Sequence, residues 1–325
     1  MFAIFNIGKM KKILLAGAVV LCSYAQLDAQ QARYKSRDEL MDNLELSAGI
    51  GMVNFLGELG GANDVGRSFL ADFEFDALRP NFQIGARFRW NRFLASKAFV
   101  QYGWITGNDA WTRDQFRNDR NLYFRSHLLD FGSTMEFYFL PQLPTKGRYK
   151  RRGLQARQGR PVLGYISTGV TGFWFDPTAV DANGVAHSLQ PLGTEGQFIF
   201  PTRTPYNRVQ IAIPIGLGFQ FRLSDDFSLD VEISYRKTFT DYIDDVSMTF
   251  VDKNLFSNDL AEYFSDRGLY QNQTDPDYPF THETFGPGQQ RGNPQDNDAI
   301  LYMNFSLTWK LGAMRGDRAK YHQSR

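Results

Sequence analysis

The chain has 325 residues, and its 36 Lys and Arg against 35 Asp and Glu leave a formal charge of +1. That length allows one large domain or two ordinary ones, and the balanced charge removes the basic surplus expected of a nucleic-acid binder. Past the N-terminal segment no apolar run approaches the roughly 20 residues of a membrane-spanning helix. Aromatics nevertheless make up 15% of the chain, with 29 Phe, and so many rings need an environment to sit in.

Lys9, Lys11 and Lys12 precede an apolar stretch, Ile13 to Cys22, followed by small and polar residues. A basic start, a short apolar run and a small-residue cleavage site predict a signal peptide over residues 1–29. Met10 is an alternative start to Met1, and Ala25 an alternative cleavage point to Ala29. Leu21 stands where a lipid-attachment motif needs a small residue, so Cys22 is not read as lipidated. The exported chain then holds no cysteine and no disulfide framework.

The body repeats segments of about ten residues in which apolar and polar residues alternate. Leu44, Leu46, Ala48, Ile50 and Met52 alternate with Glu45, Ser47, Gly49 and Gly51. Phe82, Ile84, Ala86, Phe88 and Trp90 oppose Gln83, Gly85, Arg87 and Arg89 in the second segment. Ala98, Val100, Tyr102 and Trp104 give a third row, and Phe131, Met135, Phe137 and Phe139 a fourth. The fifth, Val162 to Trp174, is Gly-rich and its facing is ambiguous. The last three are the clearest: Val209 to Arg222, Phe227 to Arg236, and Leu301 to Leu311. Eight such segments predict an all-β, up-and-down antiparallel eight-stranded transmembrane β-barrel over residues 44–312.

A soluble β-sandwich alternates too, but three features favour the barrel. The apolar rows carry aromatics near their ends, as an interfacial girdle would. The polar face is rich in Gly and small residues, which suits a crowded lumen. The connections also alternate in length: long after the first, third, fifth and seventh segments, tight near Asn91–Ala95 and at Ser224-Asp225-Asp226. Long extracellular loops opposite short periplasmic turns place residues 30–43 and the tail 313–325 in the periplasm, with outer-membrane lipid around the apolar rows.

One connection breaks the pattern. Leu140 to Arg160 should be a short turn, yet it is long and basic, with Arg148, Lys150, Arg151 and Arg152 among its residues. It reads either as a solvated loop or as a contact surface for a periplasmic partner or anionic headgroups.

Eight strands leave an interior just wide enough for side chains to fill it. Arg87, Arg89, Lys97, Arg222 and Arg236 should therefore meet Glu45, Asp130, Glu136, Asp230 and Glu232 there, because buried charge demands pairing. Arg87 or Arg89 is expected to approach Asp230 or Glu232 and close the centre to ions. Pro214 faces inward and should interrupt a ladder, since proline donates no hydrogen bond.

Several stretches also resemble a known family. They are Leu56-Gly57-Glu58-Leu59-Gly60, Arg79-Pro80-Asn81-Phe82, Ile213-Pro214-Ile215-Gly216-Leu217-Gly218, and Thr240-Asp241-Tyr242-Ile243-Asp244-Asp245-Val246-Ser247. Together they resemble the small outer-membrane barrels of Bacteroidetes of the PorG type, from about Leu44 to Val251 and again over the final strand. The Asn/Gln/Pro/Asp-rich stretch Tyr263 to Asp298 departs from that pattern. The resemblance implies a non-enzymatic accessory barrel of the type IX secretion machinery, tied to periplasmic secretion-machinery subunits and needing no cofactor. It marks Gly57, Glu58, Leu59, Asp241, Asp244 and Asp245 as motif positions.

Rival readings are a generic structural or adhesive barrel and a lipid-modifying enzyme. Ser126 and His127 are neighbours on a strand and point to opposite faces. His187-Ser188 has only Asp181 near it in the sequence. His282, Glu283, Asp275 and Asp277 match no recognised metal-ligand spacing, and the Pro, Gln and Asn around them read as a flexible loop. Asp244-Asp245 reads either as a turn-capping pair or as a partner or cation contact.

Overall fold

The structure is a computed structural model that describes residues 41, 43–59, 75–141, 161–224, 226–275 and 278–311. The signal peptide, the basic connection with Arg148, Lys150, Arg151 and Arg152, and the tail 313–325 lie outside the described residues. In chain order the strands are β1 (Leu44–Leu56), β2 (Arg79–Arg89), β3 (Leu94–Asn108), β4 (Tyr123–Leu140), β5 (Val162–Val180), a short loop strand β6 (Ala186–Ser188), β7 (Val209–Arg222), β8 (Phe227–Thr238) and β9 (Ala299–Lys310). Every pairing is antiparallel, and β9 pairs with β1 from Glu45–Lys310 to Leu56–Ala299. β6 only extends β5 locally, so the eight long strands close the expected barrel and leave it no free edge.

Alternation sets the register. Ile50 lies between Phe82 and Phe305 on the outer face, and its neighbour Gly51 between Asn81 and Asn304 on the inner one. Ile50, Ile84 and Val170 are 63%, 64% and 63% exposed. Apolar residues so exposed over most strands make a belt that the described chain itself does not cover. Trp90, Phe93, Phe137, Phe139 and Phe227 are exposed at the end where the tight turns lie.

Pro214 interrupts pairing on one side only. The β5–β7 ladder passes from Thr168–Ile215 to Thr171–Ala212, while Pro214 stays opposite Arg236 of β8. Gly218 has a steric role: a Cβ there would come 2.2 Å from the Tyr165 ring, which fills the lumen beside it.

The interior has two storeys. Near the tight-turn end it is ionic. Toward the long-loop end it becomes apolar, with Val53, Phe55, Ile105, Phe124, Phe173 and Phe175 packed against the loop residues Leu59, Tyr206, Ile243 and Val246. This explains the fifth segment. Its inward side changes from Tyr165 and Ser167 to Phe173 and Phe175, so alternation by polarity fails while alternation by position continues.

The long loops thus fold into the mouth as a cap. A Cβ on Gly107 would lie 1.8 Å from the Leu59 carbonyl oxygen, so only glycine lets β1's exit cross β3 there. α1 (Gln115–Arg120) is capped by the Asp114 side chain, and α2 (Asp259–Ser265) by that of Asn258. The stretch after Tyr263 corrects the flexible-loop expectation over its described part. Phe285 contacts Phe116, Tyr270 and Phe250 at ring distances of 4.9, 5.2 and 5.6 Å. Aromatic burial of this kind offsets the conformational entropy lost in ordering a stretch with few other apolar side chains.

Candidate functional site

Two clusters of charged residues occupy the barrel, one above the other. In the lumen, inward positions of β1, β2, β4 and β8 meet on Arg87, which is 2% exposed. Its Nε lies 2.7 Å from Glu136 Oε2, Nη1 3.3 Å from Glu45 Oε2, and Nη2 3.1 Å from Asp230 Oδ1. Arg89 Nε is 2.6 Å from Glu45 Oε1, and its guanidinium stands 4.7 Å over the Tyr138 ring. Lys97 Nζ reaches Glu232 Oε2 at 2.8 Å, and Arg236 Nε reaches Asp130 Oδ2 at 2.9 Å. The structure therefore brings nine of the ten expected lumen residues into this mesh, with Arg87 spanning from β2 to Asp230 on β8. Arg222 ends β7, at the strand terminus. Such a mesh fixes strand positions and fills the bore.

The second cluster forms where the motif residues converge in the cap. Glu58 Oε1 accepts the Asn293 N–H. Asp244 Oδ2 accepts from Leu59 N at 3.1 Å and Oδ1 from Val246 N at 3.0 Å. Asp245, held at φ 68°, accepts from the Thr194 hydroxyl and, at 2.7 Å, from the Tyr206 hydroxyl. Beside it Arg291 Nη1 lies 2.9 Å from Glu195 Oε1 and donates to the Asp245 carbonyl at 2.6 Å. Asp298, just before β9, accepts from Ile243 N at 2.8 Å and donates its own N–H to the Thr240 carbonyl at 3.0 Å.

Asp241 differs from its neighbours. It is 7% exposed, and no close hydrogen bond reaches either carboxyl oxygen among the described residues, although the Ser247 side chain lies near enough to favour its charged form; Asp298 Oδ1 and Glu58 Oε2 also have no partner there. Arg120 is the cation that pulls hardest on Glu58, and it is bonded to Asp109 at 2.8 Å through both Nε and Nη2. Burial pushes the Glu58 carboxyl up to about 7 against the pull of Arg120, and Asp245 up to about 6 against that of Arg291. Burial, and then mutual repulsion, raises Asp241, Asp244 and Asp298 further. Buried carboxylates without cations cannot all stay ionised.

Glu195, Arg291 and Asp298 carry no periodic or motif signal, and the sequence reading missed them. Asp298 was recoverable from register alone: the Leu56–Ala299 pair puts Gly57 beside it.

The serine–histidine neighbours form no catalytic arrangement. Ser126 is buried and accepts from Asp176 N at 2.9 Å, while exposed His127 bonds Tyr102 at 2.9 Å. His187 Nε2 lies 3.0 Å from Asp181 Oδ2, whereas Ser188 donates to Asp176 Oδ2 at 3.0 Å. Among the described residues no three His, Cys, Asp or Glu side chains stand at metal-coordination spacing.

Among solved structures the chain is similar to Neisserial surface protein A (NspA), at 10% identity and a TM-score of 0.36, covering 82% of this chain and 97% of that one. It is also similar to Ail, the attachment invasion locus protein of Yersinia pestis, at 10% identity and a TM-score of 0.34, covering 82% and 98%. The outer membrane protein OprG from Pseudomonas aeruginosa gives 7% identity and a TM-score of 0.33, over 82% and 95%. These likenesses concern the fold alone. Comparison with curated protein sequences finds no match. The family model described as Domain of unknown function (DUF6089) matches residues 39–257, which takes in Glu58, Asp241, Asp244 and Asp245 and stops before Asp298; the chain belongs to that family.

Proposed function

We propose that this chain is a non-enzymatic outer-membrane barrel that anchors or supports the type IX secretion machinery by touching its periplasmic ring. The observation that carries the anchoring role is the lumen mesh. Arg87 joins β2 to carboxylates on β1, β4 and β8, so paired, buried side chains occupy the bore. The uncovered apolar belt supports lipid as the surroundings. The secretion role rests on the resemblance of the Gly57-Glu58-Leu59 and Asp241 to Ser247 motifs to PorG-type barrels. The basic connection of Arg148, Lys150, Arg151 and Arg152 joins β4 to β5 at the tight-turn end, which is the periplasmic end in this reading.

Deleting the gene tests the proposal. Loss of secreted cargo supports it; intact secretion with altered adhesion replaces it by a structural or adhesive barrel, a reading favoured by the folded cap. A changed lipid A mass replaces it by a lipid-acting enzyme. Purified protein in planar bilayers should give no steady conductance. Reversing the charge of Arg148, Lys150, Arg151 and Arg152 together should leave barrel assembly intact while periplasmic partners stop co-purifying.

A further inference from the structure

On the outer face of β4 the exposed row changes character as it climbs. From the tight-turn end it runs Phe137, Phe131, Leu129, His127 and then Arg125, all exposed. A hydrocarbon band about 25 Å tall takes up roughly ten residues of a strand that rises about 3.3 Å per residue and tilts by about 40°. Counted from the exposed rings of Phe137 and Trp90 at the tight-turn end, that length ends near His127 on β4 and near Pro80 on β2. Arg125 and Arg79 therefore stand just past the apolar band, at the level of the outer headgroups.

The two arginines flank β3. The Asn81–Gly103 and Ile105–Ser126 pairs put them at similar heights on either side of it, close enough for their charges to repel. Each guanidinium lies over an indole: Arg125 Cζ is 5.5 Å from the Trp104 ring centre, and Arg79 Cζ 5.8 Å from that of Trp111. Arg79 Nη1 donates to the carbonyls of Asp76 and Leu78, both at 2.7 Å, while the Asp76 carboxylate acts on it only at longer range. Asp176, opposite His127 on β5, is bonded to Arg208 and Ser188. Among the described residues neither Arg79 nor Arg125 forms an ion pair. Two adjacent cations without a countercharge, at a lipid headgroup level, form a site for an anion.

We propose that Arg125 and Arg79 clamp the phosphate monoester of an outer-leaflet glycolipid of the lipid A kind, whose acyl chains descend along Tyr102, Leu129 and Phe131. The guanidinium fork matches phosphate oxygens. A monoester carries close to two negative charges at neutral pH and so answers both arginines, whereas a phosphodiester headgroup carries one. The apolar row directly below the pair selects a lipid over free phosphate, because one outward row passes from charged to apolar as such a molecule does. The site rests on the outer-membrane reading but is not required by it.

Insertion of the full chain into phosphatidylcholine vesicles tests that reading separately, since it needs no lipid A. In detergent, native mass spectrometry then follows binding of bisphosphorylated lipid A, of its dephosphorylated form, and of lipid A with inorganic phosphate in excess. One lipid A should be held tightly per chain. The dephosphorylated lipid should bind about tenfold more weakly, and the Arg79→Gln/Arg125→Gln double variant should show the same loss with lipid A. Arg92→Gln changes an exposed arginine that lies 4.6 Å over Phe93 at the tight-turn end, and it should bind like wild type. Equal binding of the two lipids by the wild-type chain overturns the proposal, whether or not the double variant folds. Unchanged binding in the folded double variant, or an equal loss in Arg92→Gln, overturns it as well. Displacement of lipid A by inorganic phosphate replaces the lipid with a free anion.

Discussion

Glu136 and Asp230 in the lumen are 0% and 3% exposed, and Asp244 and Asp298 in the cap are 1% and 2% exposed. Equal burial meets opposite solutions. The lumen carboxylates share the Arg87 guanidinium, with Arg89, Lys97 and Arg236 serving their neighbours. Among the described residues of the cap's acidic cluster only the Glu195 side chain bonds a cation, Arg291; Asp244 and Asp298 lean on backbone N–H groups, while Arg120 is bonded to Asp109. A buried pair is self-contained and indifferent to solution over a wide pH range, whereas a buried unpaired carboxyl draws its neutralising charge from solution. The lower storey is thus built to stay closed, and the upper one responds to protons.

The harshest way to break this contrast is Arg87→Met. It removes one cation and strands Glu45, Glu136 and Asp230, of which only Glu45 keeps a close second cation in Arg89. Breaking a buried pair from one side costs about 3–5 kcal/mol, so the urea midpoint for barrel unfolding, read by tryptophan fluorescence in lipid, should fall steeply. Wild-type stability in that variant would mean that the lumen carboxylates are neutral and that the two storeys do not differ.

Acidity separates the storeys next. Burial raises Glu58 from an ordinary 4.5 to about 7 and lifts Asp241 as well. The folded cap keeps these protons after the unfolded chain has released them. Their contribution is therefore fully present below about pH 4 and is lost as pH rises, through about 7 for Glu58 and higher for Asp241. Loop proteolysis should speed up across that range while the barrel, followed by its heat-modified gel mobility, holds. Glu58→Gln should flatten the early part of the profile. A barrel that loosens in step with the cap would couple the two storeys.

The same division decides what the sequence could reveal. Strand positions and the lumen partners were legible because a lipid-facing row and a filled bore impose a period of two, and a period needs only local reading. Arg87 and Asp230, 143 residues apart, follow from it: both face inward, and eight strands leave little else to meet. The cap obeys no period. Its acidic cluster joins Glu58, Asp241 and Asp298 through loop paths, and the aromatic packing of Phe116 with Phe285 is set by tertiary contact alone. The Asp244-Asp245 pair was visible, but the hydroxyls that serve Asp245 and the N–H groups that serve Asp244 were not.

The mildest test lies inside the cap. Tyr206→Phe deletes the hydroxyl that donates to Asp245 Oδ1 at 2.7 Å and keeps the ring that stacks on Tyr242 at 4.8 Å. Packing is preserved, the Thr194 hydroxyl still serves Oδ2, and Arg291 stays close to that same oxygen at 4.0 Å. The loss should be that of one charge-assisted hydrogen bond, about 1.5–3 kcal/mol, moderated because a proton can occupy the freed oxygen. Since Asp245 already sits near 6, losing a donor to its charged form pushes it higher. The variant should therefore match wild type in acid and fall behind it as pH approaches neutrality. Urea titration of loop proteolysis at the two ends of that range measures the difference. A deficit of equal size at both ends would mean that Asp245 remains ionised throughout, so that the cap, like the lumen, supplies its own countercharge.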